Sequence, residues 1–267
     1  VLQVDRELSK LNRRLYRMGR NYQVKIDADV AEAGNWLVLA LRDDWAVQKA
    51  FQMAYQKYLD NTMEEREAMS SNVVSRWEDF RVDVGLTPAQ TVVSSLWDET
   101  IAPVALTSGE FTLSQVVDDS GTSRTFTWSL PVGATEFNIL SEYDKVSDAQ
   151  TLPNTASSST PYANLTGEDN DATRAHLANA ANQPPYAQST VNQLTPWTKV
   201  AELGSLAGAQ RLSTGFFTAP CGIVILYSAD GQIGNLNFEV KAGDYKGVHA
   251  PSMIEVATVN RKRKVVK

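Results

Sequence analysis

Much of this sequence breaks into short segments in which apolar and polar residues alternate, divided by turn-forming residues. Phe126, Trp128 and Leu130 alternate with Thr125, Thr127 and Ser129, the pattern of a strand with one face buried and the other in water. Comparable segments are Phe111–Val117, Arg124–Leu130, Glu136–Ser141, Leu212–Ala219, Ile223–Ser228 and Leu236–Ala242. Earlier, Tyr22–Val30 places Val24, Ile26, Ala28 and Val30 on one face and Asp27 and Asp29 on the other. Trp36–Arg42 is more continuously apolar, and strand character returns at Arg76–Val84. A chain of roughly eight to ten short strands with few helices forms a sandwich or a barrel. Its 267 residues are enough for one such core. Cys221 is the only cysteine and there are two histidines, so packing must hold the fold without a disulfide or a structural zinc.

The helices are few. Val4, Leu8, Leu11, Leu15 and Met18 recur at helical spacing and predict an amphipathic helix over 3–19, with Gly19 as its stop. Arg6, Lys10, Arg13, Arg14 and Arg17 fall on its other faces. Asp43-Asp44 supplies an N-cap for a second helix, whose apolar stripe runs from Ala46 through Phe51, Ala54 and Tyr55 to Leu59. Thr62-Met-Glu-Glu65 matches a capping box and predicts a shorter helix toward Met69. Residues 142–197 are rich in Ser, Thr, Asn, Ala and Pro, with a weak helical stretch at Asp171–Ala181, and read as a surface excursion.

The net charge of −6 hides a partition. Residues 1–25 hold seven basic residues against Asp5 and Glu7, and residues 260–267 hold five basic residues and no acid. The body between them carries 13 basic residues against 29 acidic ones. Basic ends on an acidic body point to terminal segments that meet polyanions and a body that avoids them. The alternative is that the terminal arginines pair with the body's acids.

No catalytic scaffold is visible. The phosphate-cradling Gly-x-x-x-x-Gly-Lys run, Gly-x-Gly-x-x-Gly, His-Glu-x-x-His and Gly-x-Ser-x-Gly are all absent. Cys221 opens a very apolar strand and reads as a packing residue rather than a nucleophile partnered by His176 or His249. Glu168–Asp171 and Asp118-Asp119 offer hard oxygen ligands without the spacing of a calcium loop. The six tryptophans read as core or interface residues, with a stacking platform for single-stranded nucleic acid or sugar as the alternative. No segment is apolar for long enough to insert in a membrane, and no signal sequence is visible at Val1–Arg6.

Four stretches together carry a resemblance: Asn12–Tyr22, the helix Ala46–Leu59 leading to Arg76–Arg81, Phe216–Gly222, and Glu239–Ala250. In these the chain resembles the coat proteins of small icosahedral viruses, in particular those of circular Rep-encoding single-stranded DNA viruses with a single jelly-roll domain. The likeness is one of layout and local flavour across most of the chain, not of a diagnostic motif. It implies a mainly β fold, a single eight-stranded antiparallel jelly-roll sandwich with an N-terminal helix and a helical insertion between early strands. The domains would be a basic helix at 1–21, a shell domain at 22–259 with the insertion at 44–70 and the excursion at 142–197, and a basic tail at 260–267. The implied function is non-enzymatic: self-assembly in sixty copies or a multiple, and packaging of a genome, expected to be single-stranded nucleic acid. The packaging residues would be Arg13, Arg14, Arg17, Arg20, Arg261, Lys262, Arg263 and Lys264. No cofactor is expected, with calcium at subunit interfaces as the sole and unsupported candidate. The expected location is the virion, assembled inside the host cell with the nucleus as a candidate site, and a host receptor is a further expected partner. One departure is that such coats often begin with a long, densely Arg-rich arm, whereas the basic start here is short and helical. A β-sandwich spike, fibre or adhesive surface protein binding a receptor or glycan is the competing reading.

Overall fold

The computed structural model describes residues 1–29, 35–63, 68, 77–85, 100, 111–118, 120–128, 135–148, 196–206, 209–228 and 235–254. Its two principal sheets are antiparallel throughout. The larger has five strands: β1 (Leu2–Gln3), β10 (Ile223–Ser228), β3 (Asn35–Leu41), β7 (Trp197–Leu206) and β8 (Ala209–Arg211), in that order. The second has three: β11 (Asn235–Val240), β2 (Asn21–Asp29) and β9 (Phe217–Pro220). Both therefore join strands from the start of the chain to strands near its end. A smaller sheet holds β4 (Gln115–Val117), β5 (Ser123–Thr127) and β6 (Glu136–Asn138), with β5 and β6 parallel, and β12 (Ala242–Gly243) pairs with β13 (Gly247–Val248). Three helices lie wholly among the described residues: α1 (Val4–Asn12), α2 (Trp45–Asn61) and α3 (Ile139–Asp148).

The five-stranded sheet is covered on both faces. On one, Val38, Ala201, Leu203 and Val224 meet Tyr22, Val24, Ile26 and Ala28 of β2, which is why β2 alternates. On the other, Leu41, Ile223 and Ile225 meet Val47, Ala50 and Phe51 of α2 together with Phe126 and Trp128. Two-sided burial explains the continuous apolar runs of β3 and β10, because neither face may be polar. Asp44 caps α2 by accepting the Val47 N–H at 2.9 Å, and Ala46, Val47, Ala50, Phe51 and Ala54 form its buried side.

A turn joins the two sheets at Ala219-Pro-Cys-Gly222. The Gly222 N–H donates to the Ala219 carbonyl at 3.0 Å, and Cys221 and Gly222 both take left-handed backbone, at φ 57 and 66. A Cβ on Gly222 would lie 3.1 Å from Tyr22 Cδ2 and 3.2 Å from the Asp5 nitrogen. The Gly222 carbonyl accepts the Val4 N–H at 2.8 Å and so seats the start of α1. Cys221 is buried, its sulfur 3.7 Å from Met253 Sδ, and burial pushes its thiol well above the usual range.

Several expectations change. The helix over 3–19 ends at Asn12, because Arg13 turns left-handed at φ 50 and its N–H returns to the Ser9 carbonyl. Leu11 is consequently exposed, and Leu15 and Met18 lie on the loop that follows. Thr62 closes α2, its N–H and hydroxyl both donating to the Tyr58 carbonyl, and helix resumes at Met63 as the capping box predicts, with Ala68 also helical and residues 64–67 and 69 outside the described residues. Residues 77–85 form no strand, and Asp83 makes a single bridge to Thr127. The strand expected at Glu136–Ser141 stops at Asn138, whose side chain accepts the Ser141 N–H at 2.8 Å and starts α3. The excursion assigned to 142–197 thus begins inside α3, with Tyr143 buried, and ends in β7. Residues 149–195, the stretch Asp171–Ala181 and Glu168–Asp171 lie outside the described residues. Trp128 is fully buried, while Trp45 and Trp77 are exposed.

Candidate nucleic-acid interface

The loop after α1 is held by its backbone, and this frees several of its side chains. Ser9 Oγ accepts the Tyr16 N–H at 2.8 Å and donates to the Asp5 carbonyl at 2.6 Å. Tyr16 Oη donates to the Lys246 carbonyl at 2.9 Å, Tyr22 Oη donates to the Arg17 carbonyl at 2.7 Å, and the Arg17 N–H donates to Tyr245 Oη at 3.2 Å. The Met18 N–H donates to Asp79 Oδ2 at 2.8 Å. These bonds satisfy main-chain groups that a continuing helix would have paired internally.

The four N-terminal arginines fall into two classes. Arg13 and Arg14 are exposed, and neither guanidinium pairs with an acid among the described residues. Arg17, about half exposed, pairs with Asp79 at 3.2 Å and donates to the Glu78 carbonyl at 3.4 Å. Arg20 donates to the Ala250 carbonyl at 2.7 Å, its guanidinium carbon 3.4 Å from the centre of the Tyr245 ring. The helical spacing expected to group these arginines is absent, and the loop groups Arg17 and Arg20 by these contacts instead.

Beneath the loop lies a buried ion network. Arg81 pairs with Asp5, both almost wholly buried, and its other terminal nitrogen lies 3.8 Å from Asp79 Oδ2. Burial raises the carboxyl pKa of Asp5 against the pull of Arg81, and burial likewise raises that of Asp79. The Arg81 guanidinium also lies 4.6 Å from the Phe111 ring centre. The network ties α1 to residues 79–81 and fixes where the arginine loop emerges.

The C-terminal segment leaves from the same place. Arg20 bridges to Ser252, the Asn21 N–H donates to the Pro251 carbonyl at 2.9 Å, and the Met253 N–H donates to the Gly19 carbonyl at 3.1 Å. Gln52 Nε2 holds the Met253 carbonyl at 2.7 Å. Arg261, Lys262, Arg263 and Lys264 lie outside the described residues. Seven residues of chain span at most about 24 Å, which bounds the distance from Ile254 to Arg261.

Sequence reasoning missed Lys246. This exposed side chain donates to the Leu15 carbonyl, and its ammonium lies 5.3 Å from the Tyr245 ring centre. The turn between β12 and β13 brings it there, with Lys246 at φ 52 and Gly247 at φ 94. Gly243-Asp-Tyr-Lys-Gly247 is a legible turn signal, but which distant loop it would meet is not written locally.

Asp118, considered as an oxygen ligand, orders its own turn. It accepts the Ser120 and Thr122 N–H groups at 2.9 Å and pairs with Arg124 at 2.7 Å. No group of three or more His, Cys, Asp or Glu that could hold a metal occurs among the described residues, and no helix among them is long and apolar enough to cross a membrane. No family model, curated protein or solved structure significantly matches this chain.

Proposed function

We propose that this chain is a viral capsid protein that self-assembles into an icosahedral shell and packages a nucleic-acid genome, as in small circular single-stranded DNA viruses. The observation that carries this reading is convergence. The N-terminal basic loop and the stretch of chain that leads to the basic C-terminal residues are bonded side by side through Gly19–Asn21 and Pro251–Met253, while the acidic excess belongs to the body between the two basic ends of the sequence. Such a partition suits a subunit that turns one basic pole toward polyanion. The antiparallel sheets, which join early strands to late ones, support the finer reading of a jelly-roll shell domain. The chain then acts as structural protein rather than enzyme, needs no cofactor, and has copies of itself and single-stranded nucleic acid as partners. Its place is the virion, after assembly in the host cell.

Light scattering coupled to size exclusion tests this directly. Purified protein should elute as closed particles in the megadalton range, visible by electron microscopy, because symmetric closed assembly is how such surfaces are covered. A monodisperse monomer at micromolar concentration across pH and salt would sink the proposal and favour the adhesive or spike reading.

A further inference from the structure

Against Arg17 and Arg20 the surface opens into a cavity of about 300 Å³. Its walls come from four separate parts of the chain: the loop at 17–20, α2, residues 78–80 and Ser252–Ile254. One wall is aromatic. The ring centres of Tyr55 and Tyr58 lie 5.5 and 5.3 Å from that of Phe80, and both tyrosines are half-buried. The polar lining is mixed, with Arg17 and Arg20 beside the acids Glu78 and Asp79.

This mixture selects among ligands. A phosphate has only acceptor oxygens and negative charge, so two acids in the wall argue against one lying inside. A nucleobase edge carries both donors and acceptors, and its face stacks on aromatic rings. The volume stands at the lower limit of small-molecule pockets, room for one ring system and too little for a helix or strand. Cationic charge continues outside the cavity, since the Tyr245 ring touched by Arg20 lies 5.3 Å from the Lys246 ammonium.

We propose that this cleft takes one unstacked nucleobase of a single-stranded nucleic acid. The base edge meets Arg17, Arg20 and Asp79, its face lies against Tyr55 and Tyr58, and the adjoining phosphates follow Lys246 and the exposed arginines. The inference rests on the packaging reading above and adds strandedness to it. A duplex keeps its bases stacked and offers the cleft nothing, so it binds through phosphates alone.

Fluorescence anisotropy with a labelled mixed-sequence single strand and the matching duplex, measured on the full chain at low salt, provides the test. The single strand should bind about tenfold more tightly. Replacing Tyr55→Leu and Tyr58→Leu together keeps apolar bulk and should cost the single strand about tenfold, within the range for loss of one stacked base, while duplex affinity stays unchanged. Equal affinity for both ligands, or an unchanged single-strand affinity in the variant, overturns the cleft and leaves the basic segments standing. Binding of neither ligand overturns both. Photocrosslinking of the unaltered protein to a bromodeoxyuridine-substituted strand does not depend on a variant folding. Crosslinks should map to Tyr55 or Tyr58, and crosslinks found only at 13–16 or 255–267 would overturn the cleft.

Discussion

Residues 4–12 and 13–20 share one run of apolar spacing in the sequence, yet they treat their charges in opposite ways. In α1 the acids turn inward: Asp5 and Glu7 are 0% and 1% exposed, Asp5 pairing with Arg81 and Glu7 with Lys10 at 2.8 Å. In the loop, Arg13 and Arg14 turn outward. Periodicity reports which residues share a face and not where a helix ends. Here the end is set by Tyr16, fully packed and bonded to Ser9 and Lys246, contacts that outweigh the few tenths of a kcal/mol of propensity a further helical turn offers. The helical half is therefore structural, and the loop half is available for a partner.

The largest break in this comparison should come at Asp5. Asp5→Ala removes the nearest partner of the buried Arg81 guanidinium and leaves it the longer 3.8 Å contact to Asp79, and loss of one member of a buried pair costs about 3–5 kcal/mol, readable as a lower urea midpoint. Asp5→Ala with Arg81→Met should recover most of that loss, because replacing both partners by apolar side chains is often neutral. A double variant as unstable as the single one would show that Arg81 matters through Asp79 and Phe111 rather than through Asp5. The pH dependence has a definite sign. Burial raises the carboxyl pKa of both Asp5 and Asp79 above the unfolded value, so in that window the folded state binds more protons and stability falls as pH rises. Asp5→Ala should make that slope shallower while Asp79 retains its share.

A smaller effect is expected where α1 is seated. Gly222→Ala places a Cβ against Tyr22 and the Asp5 nitrogen in left-handed backbone at φ 66, whereas Gly215→Ala meets nothing within 4 Å at φ 68. Both should lose the roughly 1–2 kcal/mol of left-handed strain, and Gly222→Ala should lose more. Equal melting temperatures for the two variants would mean that the turn does not hold the helix.

Strand identity was legible wherever burial is simple. The alternation of β2 and the unbroken apolar run of β3 both follow from how many faces are covered, and the Asp44 cap follows from local chemistry. The basic ends were legible too, because charge needs no fold to be counted. Contacts between distant segments were not. Arg17 meets Asp79 across 62 positions and Arg20 meets Ala250 across 230, and no local pattern encodes either. The helix stop at Asn12 and the helix start after Asn138 escape the sequence for a related reason: Asn side chains serve strands, turns and either end of a helix, and the surrounding packing decides which.

The smallest effect on stability, and the sharpest on binding, should come from Arg13→Gln with Arg14→Gln. Neither guanidinium pairs with an acid among the described residues, so the unfolding free energy should stay within the roughly ±0.5 kcal/mol typical of surface changes. Each single-strand phosphate that is no longer neutralised lowers the slope of log affinity against log salt by about 0.7, so two should lower it by about 1.4. Arg17→Gln with Arg20→Gln should behave differently, lowering affinity and melting temperature together, because those side chains also hold Asp79 and the Ala250 carbonyl. If Arg13→Gln with Arg14→Gln left the salt slope unchanged while particles still packaged the same amount of nucleic acid, Arg13 and Arg14 would have no packaging role. The polyanion contacts would then have to come from Arg17, Arg20, Lys246 and the C-terminal segment.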